Sequence, residues 1–129
     1  MRVCCRYSVV VNYRSDKLRA DEVVEEINGA GGHAIAVYAD VSIEEEVLNM
    51  FDIMDEKLGS INALVNNAGI LGDRNLLPDI SIDEIERMLG SNVIGPILCS
   101  REAVKRMSTA TGGKGSVTNQ RACAYDIVE

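Results

Sequence analysis

An α/β fold, built on a parallel sheet with helices on both faces, is what this sequence predicts. Short apolar runs recur along the chain: Val9-Val10-Val11, Ala34 to Tyr38 and Ile61 to Val65. Longer stretches of helical period separate them, and strands alternating with helices imply parallel pairing. Polar turns carrying Arg, Asp or Asn stand at the ends of those runs, where a doubly wound sheet binds its ligands.

The first strand starts near Tyr7. Residues 16–28 read as a helix with Leu18, Val23, Val24 and Ile27 on one face and Ser15 as N-cap, stopped by Gly29 and Gly31-Gly32. His33 leads into the second strand, Ala34 to Tyr38. Ser42-Ile43-Glu44-Glu45 has capping-box spacing and opens a helix with Val47, Leu48, Phe51 and Met54 inward, ended by Gly59. Ile61 to Val65 is the third strand, and a loop with Gly72 and Pro78 runs from Ile70 to Ile80. Ser81-Ile82-Asp83-Glu84 repeats the capping-box form. Its helix runs to about Met107, with Ile85, Met88, Leu89 and Val93 on one face and a bend at Gly95-Pro96. A glycine-rich loop, Thr111 to Gly115, precedes a fourth strand, Ser116 to Asn119. There is no internal repeat.

A chain of 129 residues accommodates one compact domain. Its formal net charge of −7 argues against a nucleic-acid partner, whose phosphates it would repel. The one basic group, Arg101, Lys105 and Arg106, reads as a solvated helix face. No apolar run approaches the length of a membrane span, and Met1 to Arg6 has no signal-peptide apolar region, so the cytoplasm is the default location. Cys4, Cys5, Cys99 and Cys123 show no zinc spacing, and no metal site is expected. They read as reduced thiols, with Cys99 a small hydrophobe among Ile94, Ile97 and Leu98.

Asn66-Asn67-Ala68-Gly69 closes the third apolar run with amide donors and acceptors and with little bulk, which suits close approach by a flat ligand. The same residues suit a tight turn in any protein. Asp40 follows the second strand, where it binds a ligand or serves the N-terminal region of the next helix. Asn92 places a polar amide in an apolar helical stretch, costly unless satisfied, or else it is a surface Asn near the kink.

Tyr13-Arg14-Ser15, Asp40-Val41, Asn66-Asn67-Ala68-Gly69 and Asn92-Val93, in this order, resemble the short-chain dehydrogenase/reductase family. The run from Leu98 to Met107 and Gly112-Gly113-Lys114-Gly115 are similar to its glucose 1-dehydrogenase and 3-oxoacyl-carrier-protein-reductase-like members. The resemblance covers Tyr7 to about Gly115. It implies an NAD(P)-dependent oxidoreductase acting on a small-molecule alcohol or ketone. Arg14 stands where an acid would select NAD; its guanidinium suits a 2′-phosphate, so NADP is favoured with NAD possible, the alternative being a solvated Arg before a helix. The resemblance further implies that Asp40 accepts from the adenine amino group and that Val41 lies along the ring. Asn67, Ala68 and Gly69 would line the ribose, Asn66 would brace the sheet through backbone groups, and Asn92 would be catalytic, holding a water in a proton relay. Assembly as a homo-oligomer would use the helix starting near Ser81.

Departures from the family pattern shape the expectation. The Thr-Gly-x-x-x-Gly-x-Gly turn that would hold the pyrophosphate is not found. The fold class is therefore a partial Rossmann-type doubly wound parallel sheet lacking the first strand, one incomplete NAD(P)-binding domain over residues 1–129. In strand order 3-2-1-4-5-6 that strand lies mid-sheet, so the halves either slide together or expose edges. The Ser and Tyr-x-x-x-Lys catalytic set is not found where the resemblance puts it. Ala122 takes the place of the Ser, and Tyr125 comes too early with Glu129 four residues on, where a carboxylate raises a phenol pKa. The chain thus reads as truncated at both ends and catalytically incomplete, or alternatively as a non-catalytic interaction module pairing with intact relatives. An unrelated flavodoxin-like domain fits the motif order less well.

Overall fold

β1 (Ser8–Tyr13) and β2 (His33–Tyr38) run parallel, with Ser8 opposite His33 and Tyr13 opposite Tyr38, and α1 (Lys17–Gly29) crosses between them. The computed structural model describes residues 7–73, 75–108 and 112–120. α2 (Glu44–Leu58) leads to β3 (Ala63–Asn66). A 3₁₀ turn (Leu77–Asp79), α3 (Ile82–Leu89), a π-helical turn (Gly90–Ile94) and α4 (Gly95–Met107) follow, then β4 (Ser116–Asn119). β4 pairs parallel with β3, Ala63 opposite Ser116 and Asn66 opposite Asn119.

The result is an α/β architecture of two two-stranded parallel sheets, β1–β2 and β3–β4. The halves have not slid together. A cavity of about 800 Å³ lies between β1 and β3, lined by Val10 and Leu64 from the strands and by Met50, Phe51, Met54 and Cys99 from the helices behind them.

One core joins the pieces. Val37 and Ala39 from β2 and its end, Val47, Met50, Phe51 and Met54 from α2, and Cys99, Ala103 and Met107 from α4 form a single buried cluster. Alternation along β2 sends Val37 to this core and Ala34 to the other face, where α1 packs and buries Ala20. Gly59, at φ +83°, ends α2 in a conformation that a side chain would strain.

Several sequence expectations shift by a residue or a face. α1 is capped by Asp16, not Ser15: the Asp16 carboxylate accepts from the Arg19 amide at 3.0 Å, and a negative cap also suits the helix dipole. The box at Ser42 does not form. Its hydroxyl donates instead to Asp40 Oδ1 at 2.6 Å, and α2 starts from Ile43 with no side-chain cap. Ser81 does cap α3, accepting from the Glu84 amide at 3.2 Å. The Glu84 carboxylate, however, turns away to the Asp73 amide and the Asn75 side chain, pinning the preceding loop. The break expected at Gly95-Pro96 is taken up just before it, where the Gly95 amide bonds to Gly90 O across the π turn.

Helix faces differ too. Leu18 is 79% exposed and Val23 is also exposed, because α1 covers only a two-stranded sheet. Met50 takes the inward place expected for Leu48. Cys99 is buried, but Ile94 and Ile97 beside it are exposed, as are Ile85, Leu89 and Val93.

The basic group on α4 is no mere solvated face. Glu102, almost fully buried, accepts from Arg101 Nε at 3.1 Å, Lys105 Nζ at 2.8 Å and Arg106 Nη1 at 3.1 Å. Arg106 also reaches Asp55 on α2 at 2.6 Å and lies 5.0 Å over the Phe51 ring, and Arg101 pairs with Glu44. The Lys105 ammonium lowers the Glu102 pKa; burial opposes it, Arg106 and Arg101 reinforce it, and the net lies below the ordinary 4.5.

Because the folded pKa is depressed, this contribution to stability is complete above the unfolded carboxyl pKa and is lost as pH falls through the folded one. Urea midpoints measured from about pH 6 down to about pH 3 fall with acid in the parent chain. They fall less steeply in Glu102→Gln.

Candidate cofactor-binding rim

The carboxyl ends of three strands supply the rim. Arg14 directly follows β1, Asp40 follows β2 by two residues, and Asn67-Ala68-Gly69 follows β3. Parallel pairing of β1 with β2 brings the first two together: Arg14 Nη1 lies 3.5 Å from Asp40 Oδ2. Asn12 holds this junction. Its Nδ2 donates to Val37 O at 3.3 Å and Ala39 O at 3.0 Å, while the Ala39 amide donates to Tyr13 O at 3.0 Å. The Tyr13 and Tyr38 rings meet edge to face at 5.9 Å beside it.

Asp40 is fixed from both sides. Its Oδ1 accepts from the Ser42 amide at 3.0 Å and from the Ser42 hydroxyl at 2.6 Å, and its own amide donates to Glu46 Oε2 at 2.6 Å. Partial burial raises the Asp40 pKa, but the Ser42 hydroxyl and amide, with Arg14, outweigh it and hold the carboxyl below 3.8. The carboxylate form is the one the loop is built around.

Val41 packs onto the start of α4. A Cβ on Gly95 would lie 2.6 Å from Val41 Cγ2, so the approach requires glycine there. Val41, Asn67 and Ala68 line the cavity between the sheets. Asn66 is anchored more by side chains than by backbone: Nδ2 donates to Asn119 Oδ1 at 2.7 Å and Ser100 Oγ at 3.0 Å, with Pro96 O at 3.5 Å.

Asn92 lies in the π turn, exposed, and its amide is matched to one residue. Oδ1 accepts from Ile70 N and Nδ2 donates to Ile70 O, both at 2.8 Å. A Cβ on Gly69 would stand 3.2 Å from Asn92 Oδ1, so the small residue admits this contact. The geometry thus groups Arg14 with Asp40, Val41 with Asn67 and Ala68, and Gly69 with Asn92.

Sequence reasoning assigned nothing to Asn12 or Glu46, and gave Glu84 only a place in the capping box at Ser81, not the loop contacts that its carboxylate makes. Asn12 directly precedes Tyr13-Arg14-Ser15, and an amide donor at a strand end was its only signal. One Tyr-x-x-x-Lys spacing does occur, from Tyr13 to Lys17, but it spans a strand end and a helix start, and Lys17 pairs with Asp21 at 2.6 Å. Ala122, Tyr125 and Glu129, like Cys4, Cys5 and Cys123, lie outside the described residues. Among the described residues no cluster of His, Cys, Asp or Glu could hold a metal, and no helix is long and apolar enough to cross a membrane.

The family model described as short chain dehydrogenase matches residues 5–121. The chain belongs to this family. It is 44% identical over 109 residues to an uncharacterized oxidoreductase of Escherichia coli (strain K12), covering 84% of this chain and 44% of that protein. It is 37% identical over 114 residues to glucose 1-dehydrogenase 2 of Bacillus subtilis (strain 168), covering 88% and 44%. A solved short chain dehydrogenase from Burkholderia cenocepacia J2315 in complex with NADP superposes with a TM-score of 0.80 at 32% identity, over 95% of this chain and 48% of that one. The chain therefore spans less than half the length of these relatives. The short-chain dehydrogenase similarity accords with the Rossmann-type reading of the sheet and helices.

Two substitutions check the packing of the rim. Gly95→Ala forces Val41 outward and costs about 1–3 kcal/mol, seen as a lower urea midpoint, although Ala is the better helix former. Asn92→Ala removes two hydrogen bonds at an exposed position and speeds amide exchange at Ile70 by about tenfold, the equivalent of ~1.4 kcal/mol.

Proposed function

We propose that this chain carries the adenosine side of an NADP site in an oxidoreductase of the short-chain dehydrogenase family, whose reaction interconverts an alcohol and a ketone, and that the chain alone does not turn over. The observation that carries the reading is the Arg14–Asp40 pair at the ends of β1 and β2. The Arg14 side chain is 48% exposed, which leaves donors available to a phosphate. In this reading Arg14 takes the 2′-phosphate, and Asp40 and Val41 take the adenine. Asn67, Ala68 and Gly69 take the ribose, and Asn92 belongs to the catalytic end through the loop it holds. The adenosine half of the cofactor fits these residues, and the cofactor when bound would supply a hydride to the ketone as NADPH or accept one from the alcohol as NADP⁺. A pyrophosphate grip has no counterpart among the described residues, so affinity is weak. The cytoplasm is the proposed location, and the net charge of −7 favours no nucleic-acid partner.

A second reading, a non-catalytic module that pairs with copies or intact relatives, is favoured by a different feature. Ile82, Ile85, Leu89, Val93 and Ile97 lie exposed along α3, the π turn and α4. Contiguous apolar surface of this kind marks protein contacts.

Calorimetric titration separates these readings. NADP binds more tightly than NAD by about tenfold, a difference of ~1.4 kcal/mol, and Arg14→Gln removes the preference. Equal affinities for the two nucleotides, or none for either, defeat the adenosine-site reading. Light scattering on the parent and on Leu89→Lys tests the second: an assembly that the lysine dissociates supports it, and a parent monomer rejects it.

A further inference from the structure

The segment that follows Asn67-Ala68-Gly69 is laid along one side of α3 and the π turn. Ile70 makes its two hydrogen bonds to the Asn92 side chain, both at 2.8 Å. Further on, Gly72 lies in a notch between Met88 and Glu84: a Cβ there would stand 2.7 Å from Met88 Sδ and 2.5 Å from Glu84 Oε1. The Asp73 amide donates to Glu84 Oε1, and Asn75 Nδ2 donates to Glu84 Oε2 at 3.3 Å. As the segment advances from Ile70 to Asp73, its partners step back from Asn92 to Met88 to Glu84. Those partners stand four residues apart, the spacing of neighbours along one side of a helix. The segment therefore runs antiparallel to the helix, on a single track of side chains.

The two ends of the track differ in strength. Glu84 is 4% exposed, whereas Asn92 is open to solvent. A carboxylate taken out of water is costly unless donors replace the water, and here the donors come from the segment itself. Glu84 is fixed in turn by the first turn of α3, where its amide donates to Ser81 Oγ at 3.2 Å and where negative charge suits the helix dipole. The bonds at Asn92 meet competition from water, so the buried end anchors the track and the exposed end follows it. Only Leu71 and Gly72 lie between Ile70 and Asp73, a reach of about 11 Å at full extension, so a shift at one end is felt at the other.

We propose that Glu84 is a positioning residue for the ribose side of the nucleotide site. Through Asp73, Gly72 and Ile70 it fixes where Gly69 sits, although it stands apart from Arg14, Asp40, Val41, Asn67 and Ala68. Its consequence for binding rests on the adenosine-site reading. The coupling along the track does not, and shows without nucleotide.

Amide exchange is followed by NMR without nucleotide in the parent chain, Glu84→Leu, Glu84→Gln and Gly72→Ala, and NADP and NAD are then titrated into each by calorimetry. Glu84→Leu keeps the bulk and removes both acceptors, while Glu84→Gln keeps one. Gly72→Ala pushes the segment off the track from the loop side and leaves α3 unaltered. In Glu84→Leu and Gly72→Ala, exchange at Ile70 rises about fivefold although Asn92 is intact. NADP affinity falls about fivefold in both, and the ratio of NADP to NAD affinity keeps its parent value because Arg14 is untouched. Glu84→Gln recovers most of both effects. Should Glu84→Leu fail to fold, Gly72→Ala decides. Faster exchange at Asp73 with Ile70 unchanged overturns the inference, since Glu84 then pins only its immediate partner. An NADP affinity that both variants leave at the parent value overturns it as well. A parent chain that binds neither nucleotide defeats the adenosine-site reading and the effect on affinity with it, and exchange at Ile70 still accepts or rejects the track.

Discussion

The contact between α2 and α4 holds this molecule together. β1–β2 and β3–β4 share no ladder, so their union depends on side chains: Val47, Phe51 and Met54 from one helix, Cys99, Ala103 and Met107 from the other. Glu102 and Arg106 reinforce the joint from its polar side. A buried carboxylate ringed by three cations is tolerable because every one of those cations also reaches solvent or a second acid. Arg106 adds the face of Phe51, so charge and core meet on one guanidinium.

The same joint sets the rim. α4 begins where Val41 rests on Gly95, and the π turn ahead of it places Asn92 against Ile70. The loop after β2 is thus held by α4, and the loop after β3 is held by the turn that starts α4. Arg14 reaches the group through Asp40, whose own position is dictated by Ser42 and Glu46. Residues far apart in sequence are brought to one end of the strands by a short list of directed bonds.

Much of this was legible in the sequence. Apolar runs alternating with helical periods give parallel strands, and Asn or Asp turns mark their carboxyl ends; β4 matches its expected span and β2 comes within one residue of it. Faces were less legible. Leu18 and Leu48 match helical periodicity as well as Ala20 and Met50 do, and only the width of the sheet beneath decides which are covered. Capping was ambiguous wherever two acceptors compete. Ser42 has the spacing for a box, but Asp40 lies closer to its hydroxyl. Ion pairs such as Arg106–Asp55 join residues fifty-one positions apart and leave no local trace. The grouping of Arg14 with Asp40 could be anticipated only through the parallel register, and Asn12, which secures it, carried no pattern of its own.

Division of the sheet has a consequence for cooperativity. β1, α1 and β2 are near neighbours in sequence and close their own ladder, as do β3 and β4 across the α3–α4 excursion. Among the described residues no backbone ladder joins the two pairs of strands. Protection of their amides is coupled through side chains, in the shared core and where Val41 meets Gly95, so the two ladders have separate opening free energies linked by packing.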